Sequence, residues 1–169
     1  MPNPEVPFGV DEWLKRLSTL PLMAQPGEQW LYTTGSDVQG ALVARAAGKP
    51  FDAFVRERIT GPLGMKDTGF GTSVEKADRL ATGYMPNNGK LDLFDVSGAK
   101  SRYAPPPKFP EGDSGLVSTV DDLLAFSRML LANGRHAGGR MLSEASVKAM
   151  TANHLTAQQA KAGEEILTP

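Results

Sequence analysis

The chain has no cysteine and only two histidines, His136 and His154. The first absence excludes disulfides and thiolate metal sites, and it leaves the compartment open because a disulfide-free protein folds in any of them. The second leaves too few imidazoles for a histidine-based metal centre, so neither a metal nor any other cofactor is expected. Charge of one sign is lacking too: 18 basic residues face 19 acidic ones, a net charge of -1. No Lys/Arg run is long enough for a nucleic-acid or membrane-surface footprint, and neither partner is expected. No apolar run approaches the ~20 residues of a membrane helix. Residues 1–7 are proline-rich and polar, without the apolar centre of a signal peptide, so as written the chain reads as soluble and not exported.

With 169 residues and 40% hydrophobic content, the sequence predicts a single domain, 1–169, able to bury roughly 70% of the surface of its unfolded chain. Val10, Trp13, Leu14 and Leu17 follow the helical i, i+3, i+4, i+7 pattern, which Pro21 ends. Pro26-Gly27 opens a turn, and Trp30 and Tyr32, two apart in an extended run, project to the same side. Ser36 or Asp37 then caps a helix over 36–47 carrying Val38, Leu42, Val43 and Ala46, with Gly48 as its stop. Tyr32 is thereby presented on a taut connection just before a helix N-terminus. Read blandly, it and Trp30 anchor the helices to a covering sheet.

Pro50 starts a second helix through Phe51, Phe54, Val55 and Ile59, ending near Gly61-Pro62. Residues 79–84 have weak strand character, and residues 85–112 read as a long surface loop. That loop carries an Asn87-Asn88-Gly89 turn signal, a short alternation at Leu91 and Leu93, and a Pro105-Pro106-Pro107 run favouring polyproline II. Thr119, with Asp122 three residues later, starts a helix whose inward face is Val120, Leu123, Leu124, Ser127, Leu130 and Leu131, stopped by Gly134. A last helix begins at Ser143 and buries Val147 and Met150; residues 155–169 form a frayed tail.

Four ordered blocks carry a resemblance. They are Pro26-Gly27-Glu28-x-Trp30-x-Tyr32 with Asp37-Val38-x-Gly40, then Pro62-Leu63-Gly64-Met65-x-Asp67-Thr68, then Gly115-Leu116-Val117-Ser118-Thr119-x-Asp121-Asp122. Over about residues 10–154 the chain resembles the serine β-lactamase-related family, which groups class C β-lactamases, penicillin-binding-protein-like carboxypeptidases and family VIII-type esterases. The resemblance implies a mainly α chain with a few short strands: a helical domain plus a partial α/β portion of the β-lactamase/transpeptidase-like fold, with the active site between them. It also implies a Ser nucleophile and a Lys in an S-x-x-K helix, a Tyr-x-Asn element supplying a general base, and a K-T-G or H-x-G strand.

Of these, the middle element is present. Tyr32 matches the catalytic Tyr by its setting, and Thr34 stands at the substrate-facing position where Asn is usual. That departure favours the esterase-like branch, because a hydroxyl donates and accepts less rigidly than an amide. For a phenol of pKa about 10 to act as a base near neutrality, its pKa has to fall by about three units, or about 4 kcal/mol, which calls for a neighbouring Lys ammonium.

The nucleophile is not evident. Ser73-Val74-Glu75-Lys76 and Ser97-Gly98-Ala99-Lys100 both match S-x-x-K, but ten Ser and nine Lys give about half a match by chance. Thr72 and Glu75 read as a capping box around the first, glycine and proline flank the second, and both follow Tyr32 where the family's nucleophile precedes it. Gly112-Asp113-Ser114-Gly115 reads as a turn, and His136-Ala137-Gly138 as a surface loop between helices rather than a strand. Asp121 and Asp122 belong at a helix N-terminus.

The economical reading is an internal piece of a longer serine hydrolase, lacking the S-x-x-K and K-T-G-type elements and inactive alone. The parent would act on a small-molecule ester, β-lactam or peptide, and its localisation stays unknown. The alternative is a non-catalytic binding or oligomerisation module, pairing as a homo-oligomer through an exposed apolar face. In either case Trp30, Leu42, Val43 and Leu116 are expected to be bare or covered by a second copy.

Overall fold

Eleven regular elements can be followed in the computed structural model, which describes residues 8–32 and 34–161. The proline-rich lead, Thr33 and residues 162–169 lie outside the described residues. Helix α1 (Val10–Leu17) seats Trp13 against Phe109, ring centroids 5.1 Å apart, and Asp11 meets Arg45 of the next helix at 2.8 Å. Helix α2 (Thr34–Ala47) starts two residues earlier than expected. Asp37 therefore lies in its first turn, and its carboxylate is free to bind elsewhere. Gly48, at φ 63°, closes α2 as predicted.

Helix α3 (Phe51–Val55) continues as a widened turn (Arg56–Thr60), in which Gly61 N donates to Arg56 O at 2.8 Å. Strand β1 (Gly69–Phe70) and strand β4 (Leu116–Val117) pair antiparallel, Phe70 opposite Leu116, and Phe51 packs on Phe70 with ring centroids 5.7 Å apart. Between them the expected loop is partly a hairpin, β2 (Gly83–Asn87) with β3 (Lys90–Asp95). Asn88 at φ 47° and Gly89 at φ 77° make the two-residue turn that suits the twist of paired strands. The turn signal thus organises strands on both sides, where the sequence showed only one short alternation.

Helix α4 (Val120–Leu131) is capped as predicted, the Thr119 hydroxyl accepting from Asp122 N at 3.3 Å. A minimal hairpin follows, β5 (Arg135–His136) with β6 (Gly139–Arg140), so His136 sits on a two-residue strand rather than in a plain loop. Helix α5 (Glu144–Met150) is capped by Ser143 and buries Val147, but leaves Met150 exposed. Part of the segment expected to fray is tethered, because Gln159 Nε2 donates to Gly27 O at 2.6 Å.

The core is small, built on Ala41, Met65, Phe70, Ala77, Phe109, Met129 and Val147. The accessible surface of 12347 Å² exceeds the roughly 8,100 Å² of a compact chain of this size. Helix α4 shows why. Its buried side is Asp122 and Met129, whereas Val120, Leu123, Leu124 and Leu131, expected to face inward, are exposed; Val120 is 84% and Leu131 85% accessible. At 100° per residue these four cluster on the side opposite Met129, so α4 is apolar on two faces and the chain covers one. Leu42 and Leu116 are exposed as anticipated, while Trp30 and Val43 are half-buried.

Candidate active site

Tyr32 lies at the entrance to α2. Gln25 and Glu28 close the turn before it, Glu28 N donating to Gln25 O at 3.1 Å and Glu28 Oε2 accepting from Gln25 N at 2.9 Å around Gly27 at φ 85°. The extended run that follows places Trp30 and Tyr32 side by side, ring centroids 5.9 Å apart and 32° from coplanar. The Tyr32 side chain is 68% exposed, so its phenol opens to solvent rather than into the interior. Thr34 is the first residue of α2 and is also exposed.

The turn at 111–115 is locked onto the same end of α2. Asp37 Oδ1 accepts from the backbone amides of Gly112 at 2.8 Å and Asp113 at 3.3 Å. Burial pushes the Asp37 carboxyl above its ordinary 3.8; the Gly112 amide opposes this, and the nearby charges of Asp113 and Glu111 add to it. A Cβ at position 112 would lie 2.0 Å from Ser36 O, and one on Gly40 would lie 3.4 Å from Gly112 Cα. Position 112 therefore accepts only glycine, and the turn meets the helix backbone to backbone. Ser114 Oγ donates to Glu111 Oε2 at 2.6 Å, a contact internal to the turn.

The two S-x-x-K strings do not form nucleophile–base pairs. Lys76 Nζ donates to Asp67 Oδ1 at 2.6 Å and to Lys66 O at 2.9 Å, with Arg79 completing the cluster on Asp67 Oδ2 at 2.7 Å. Hydrogen bonds from Lys76 and then Arg79 hold the Asp67 carboxyl below its ordinary range. Ser73, rather than Thr72, precedes the 3₁₀ turn Val74–Arg79, and its hydroxyl holds the Glu75 carboxyl below the ordinary 4.5. Ser97 and Lys100 are exposed around the single turn Gly98–Lys100.

Asp122 does more than complement a helix dipole. Buried to 8% accessibility, its Oδ2 accepts from Asp67 N at 2.8 Å and Thr68 Oγ1 at 2.8 Å, and Ser118 Oγ lies 2.8 Å from the same Thr68 hydroxyl. This clamp joins the third and fourth blocks of the sequence, and it explains their residue types without catalysis. Sequence reasoning missed it and the Asp37 lock; in both cases the signal was an Asp one helical turn into a segment flanked by a glycine-rich partner.

The chain belongs to the β-lactamase family: the family model described as Beta-lactamase matches residues 2–166. It is 42% identical over 156 residues to Protein Rv1367c of Mycobacterium tuberculosis, covering 91% of this chain and 38% of that one. It is 35% identical over 140 residues to Esterase EstB of Burkholderia gladioli, covering 75% and 35%. To the D-alanyl-D-alanine-carboxypeptidase/endopeptidase AmpH of Escherichia coli it is 38% identical over 123 residues, covering 70% and 28%. Among solved structures, EstCE1, a hydrolase with promiscuous acyltransferase activity, superposes with a TM-score of 0.78 at 25% identity, over 94% of this chain and 43% of that one. The fold is therefore the partial β-lactamase/transpeptidase-like one expected, and the family relationship is to hydrolases and esterases. The chain spans between 28% and 38% of the length of these curated relatives.

Proposed function

We propose that this chain, as one domain over 1–169, is the Tyr-bearing section of a serine acyl hydrolase of the esterase-like branch. The observation that carries the reading is the solvent-facing Tyr32 phenol, held beside Trp30 at the entrance to α2. In the complete enzyme a Ser hydroxyl supplied from outside the chain attacks the carbonyl carbon of an ester, and the Tyr32 oxygen takes its proton. Collapse of the tetrahedral adduct expels the alcohol, which receives that proton, and leaves the acyl group on Ser; water repeats the sequence and frees the acid. A Lys ammonium, also from outside, favours the phenolate. In this reading Thr34, two residues on and the first of α2, donates to the substrate. An esterase and a D-alanyl-D-alanine carboxypeptidase among the relatives support this reading, with ester, β-lactam and peptide as the substrate classes to compare.

The test is acylation. The chain alone, treated with a fluorophosphonate probe or a β-lactam, is expected to show no intact-mass shift. A longer polypeptide that restores the Ser-x-x-Lys segment is expected to be labelled and to hydrolyse p-nitrophenyl esters. Labelling of the 169-residue chain itself, abolished by Ser73→Ala or Ser97→Ala, would overturn the assignment.

The bare second face of α4 favours one other reading, a non-catalytic module that self-associates through Val120, Leu123 and Leu131. Among the described residues no helix is long and apolar enough to cross a membrane.

A further inference from the structure

Beside β1, the Phe94 end of the β2–β3 hairpin and the proline run enclose a cleft of about 490 Å³, whose walls include Phe70, Phe94, Tyr103 and Phe109. Its volume falls in the range of small-molecule sites, about 300–1,000 Å³. The proposed role of Tyr32 makes no use of it.

Its charge distinguishes it from a packing fault. The Arg102 guanidinium lies 4.4 Å from the Phe94 ring centroid and 6.0 Å from that of Tyr103, so it is oriented by aromatic faces rather than by a carboxylate. Lys108 also lines the cleft. Among the described residues neither cation forms an ion pair. The nearby carboxylates are engaged: Asp95 accepts from the Ser101 hydroxyl and from the Arg102 backbone amide, and Glu111, also in the lining, accepts from Ser114 Oγ. Two cations against one lining carboxylate, Glu111, leave the aromatic and proline-walled slot net positive, which matches a ligand with an apolar body and one negative end.

We infer that this cleft binds an amphiphilic carboxylate, its apolar group against Phe70, Phe94 and Tyr103 and its carboxylate between Arg102 and Lys108. Binding itself needs no turnover.

The experiment is a calorimetric titration of the 169-residue chain with 1-naphthylacetate and with its neutral isostere 1-naphthylacetamide. The carboxylate is expected to bind about tenfold more tightly, the scale of one charge-assisted hydrogen bond, and this preference is expected to shrink at high salt. Arg102→Gln and Lys108→Gln each reduce the preference and leave amide binding unchanged, Arg102→Lys retains most of it, and Tyr103→Ala weakens both ligands. Lys108 is exposed, so its variant carries the test even if replacing Arg102 disturbs the hairpin. Equal affinity for the two ligands, a preference that survives Lys108→Gln, or no binding of either at about 1 mM would each overturn the inference. The titrations read binding and acylation reads turnover, so failure here is distinct from failure of the hydrolase reading.

Discussion

Asp37 Oδ1 sits 2.8 Å from the amide nitrogen of Gly112, joining positions 75 residues apart in the chain. The contact fixes the 111–115 turn, and with it the near wall of the cationic cleft, to the end of α2 that follows Tyr32. Truncating the acceptor by Asp37→Ala strands two amides and is expected to cost about 1–3 kcal/mol. Gly112→Ala, whose methyl cannot fit beside Ser36 O, is expected to cost at least as much. Gly9→Ala, with open space around it, serves as the control. Urea denaturation checks all three.

The same carboxylate has a pH signature. Its pKa is raised in the folded state, chiefly by burial, so its contribution to stability is fully present below the ordinary 3.8 and is lost as pH rises through the raised folded value. Asp37→Asn removes that loss while keeping an acceptor oxygen. The stability difference between Asp37→Asn and the parent is expected to shift in favour of the variant as pH rises from 3 to 7, read from denaturation midpoints at each pH. A constant difference would refute it. Asp67 runs the other way: Lys76 and Arg79 depress its pKa, so its contribution is present above 3.8 and disappears as pH falls through the depressed value. Asp67→Asn should flatten the acid limb.

Asp122→Ala is expected to destabilise the chain by about 2–4 kcal/mol, because two donors lose a buried charged acceptor. Exposed Asp121→Ala stays within about 0.5 kcal/mol. Similar costs for the two would show that the clamp does not hold the blocks together.

The two faces of α4 make a matched pair of experiments. Met129, 1% accessible, is expected to lose about 2–5 kcal/mol on truncation to Ala. Leu123→Lys and Leu131→Lys leave monomer stability nearly unchanged but lower any concentration-dependent association, measured by sedimentation velocity at several loadings.

Under the proposed function, in a longer polypeptide that restores the Ser-x-x-Lys segment, Tyr32→Phe is expected to lower kcat by about 10²–10⁴ with little change in KM, the scale of a lost general base. A variant that keeps its rate would remove the phenol from the mechanism.

Much of the frame was legible because local rules act alone there. Thr119 and Ser143 cap helices wherever the chain leads, Gly48 ends one, and Trp30 and Tyr32 share a side because extended residues two apart must. What the sequence hid depends on distant partners. The side chains at 120, 123, 124 and 131 do form an apolar face, as read; that the chain leaves this face bare and buries Met129 instead cannot be known from a helix apolar on both sides. Asp37 and Asp122 looked like helix-start residues, and their targets at Gly112 and Asp67 lie far away in sequence. The hairpin was legible only at its turn and at Leu91 and Leu93, because most of its apolar residues, Tyr84, Leu91 and Leu93 among them, face solvent and form no patterned buried face.

Gly71, at φ 89°, lies against the Pro105 carbonyl, where an added Cβ would come within 2.7 Å, and Thr72 N donates to Ala104 O. The three prolines that follow carry no amide hydrogen, so on this flank a stray strand finds no donors with which to extend the β1–β4 ladder. A chain with so much bare apolar surface is thereby guarded on one border against fibrillar stacking, and engineering that replaces Pro105, Pro106 or Pro107 would open that border to edge-to-edge growth.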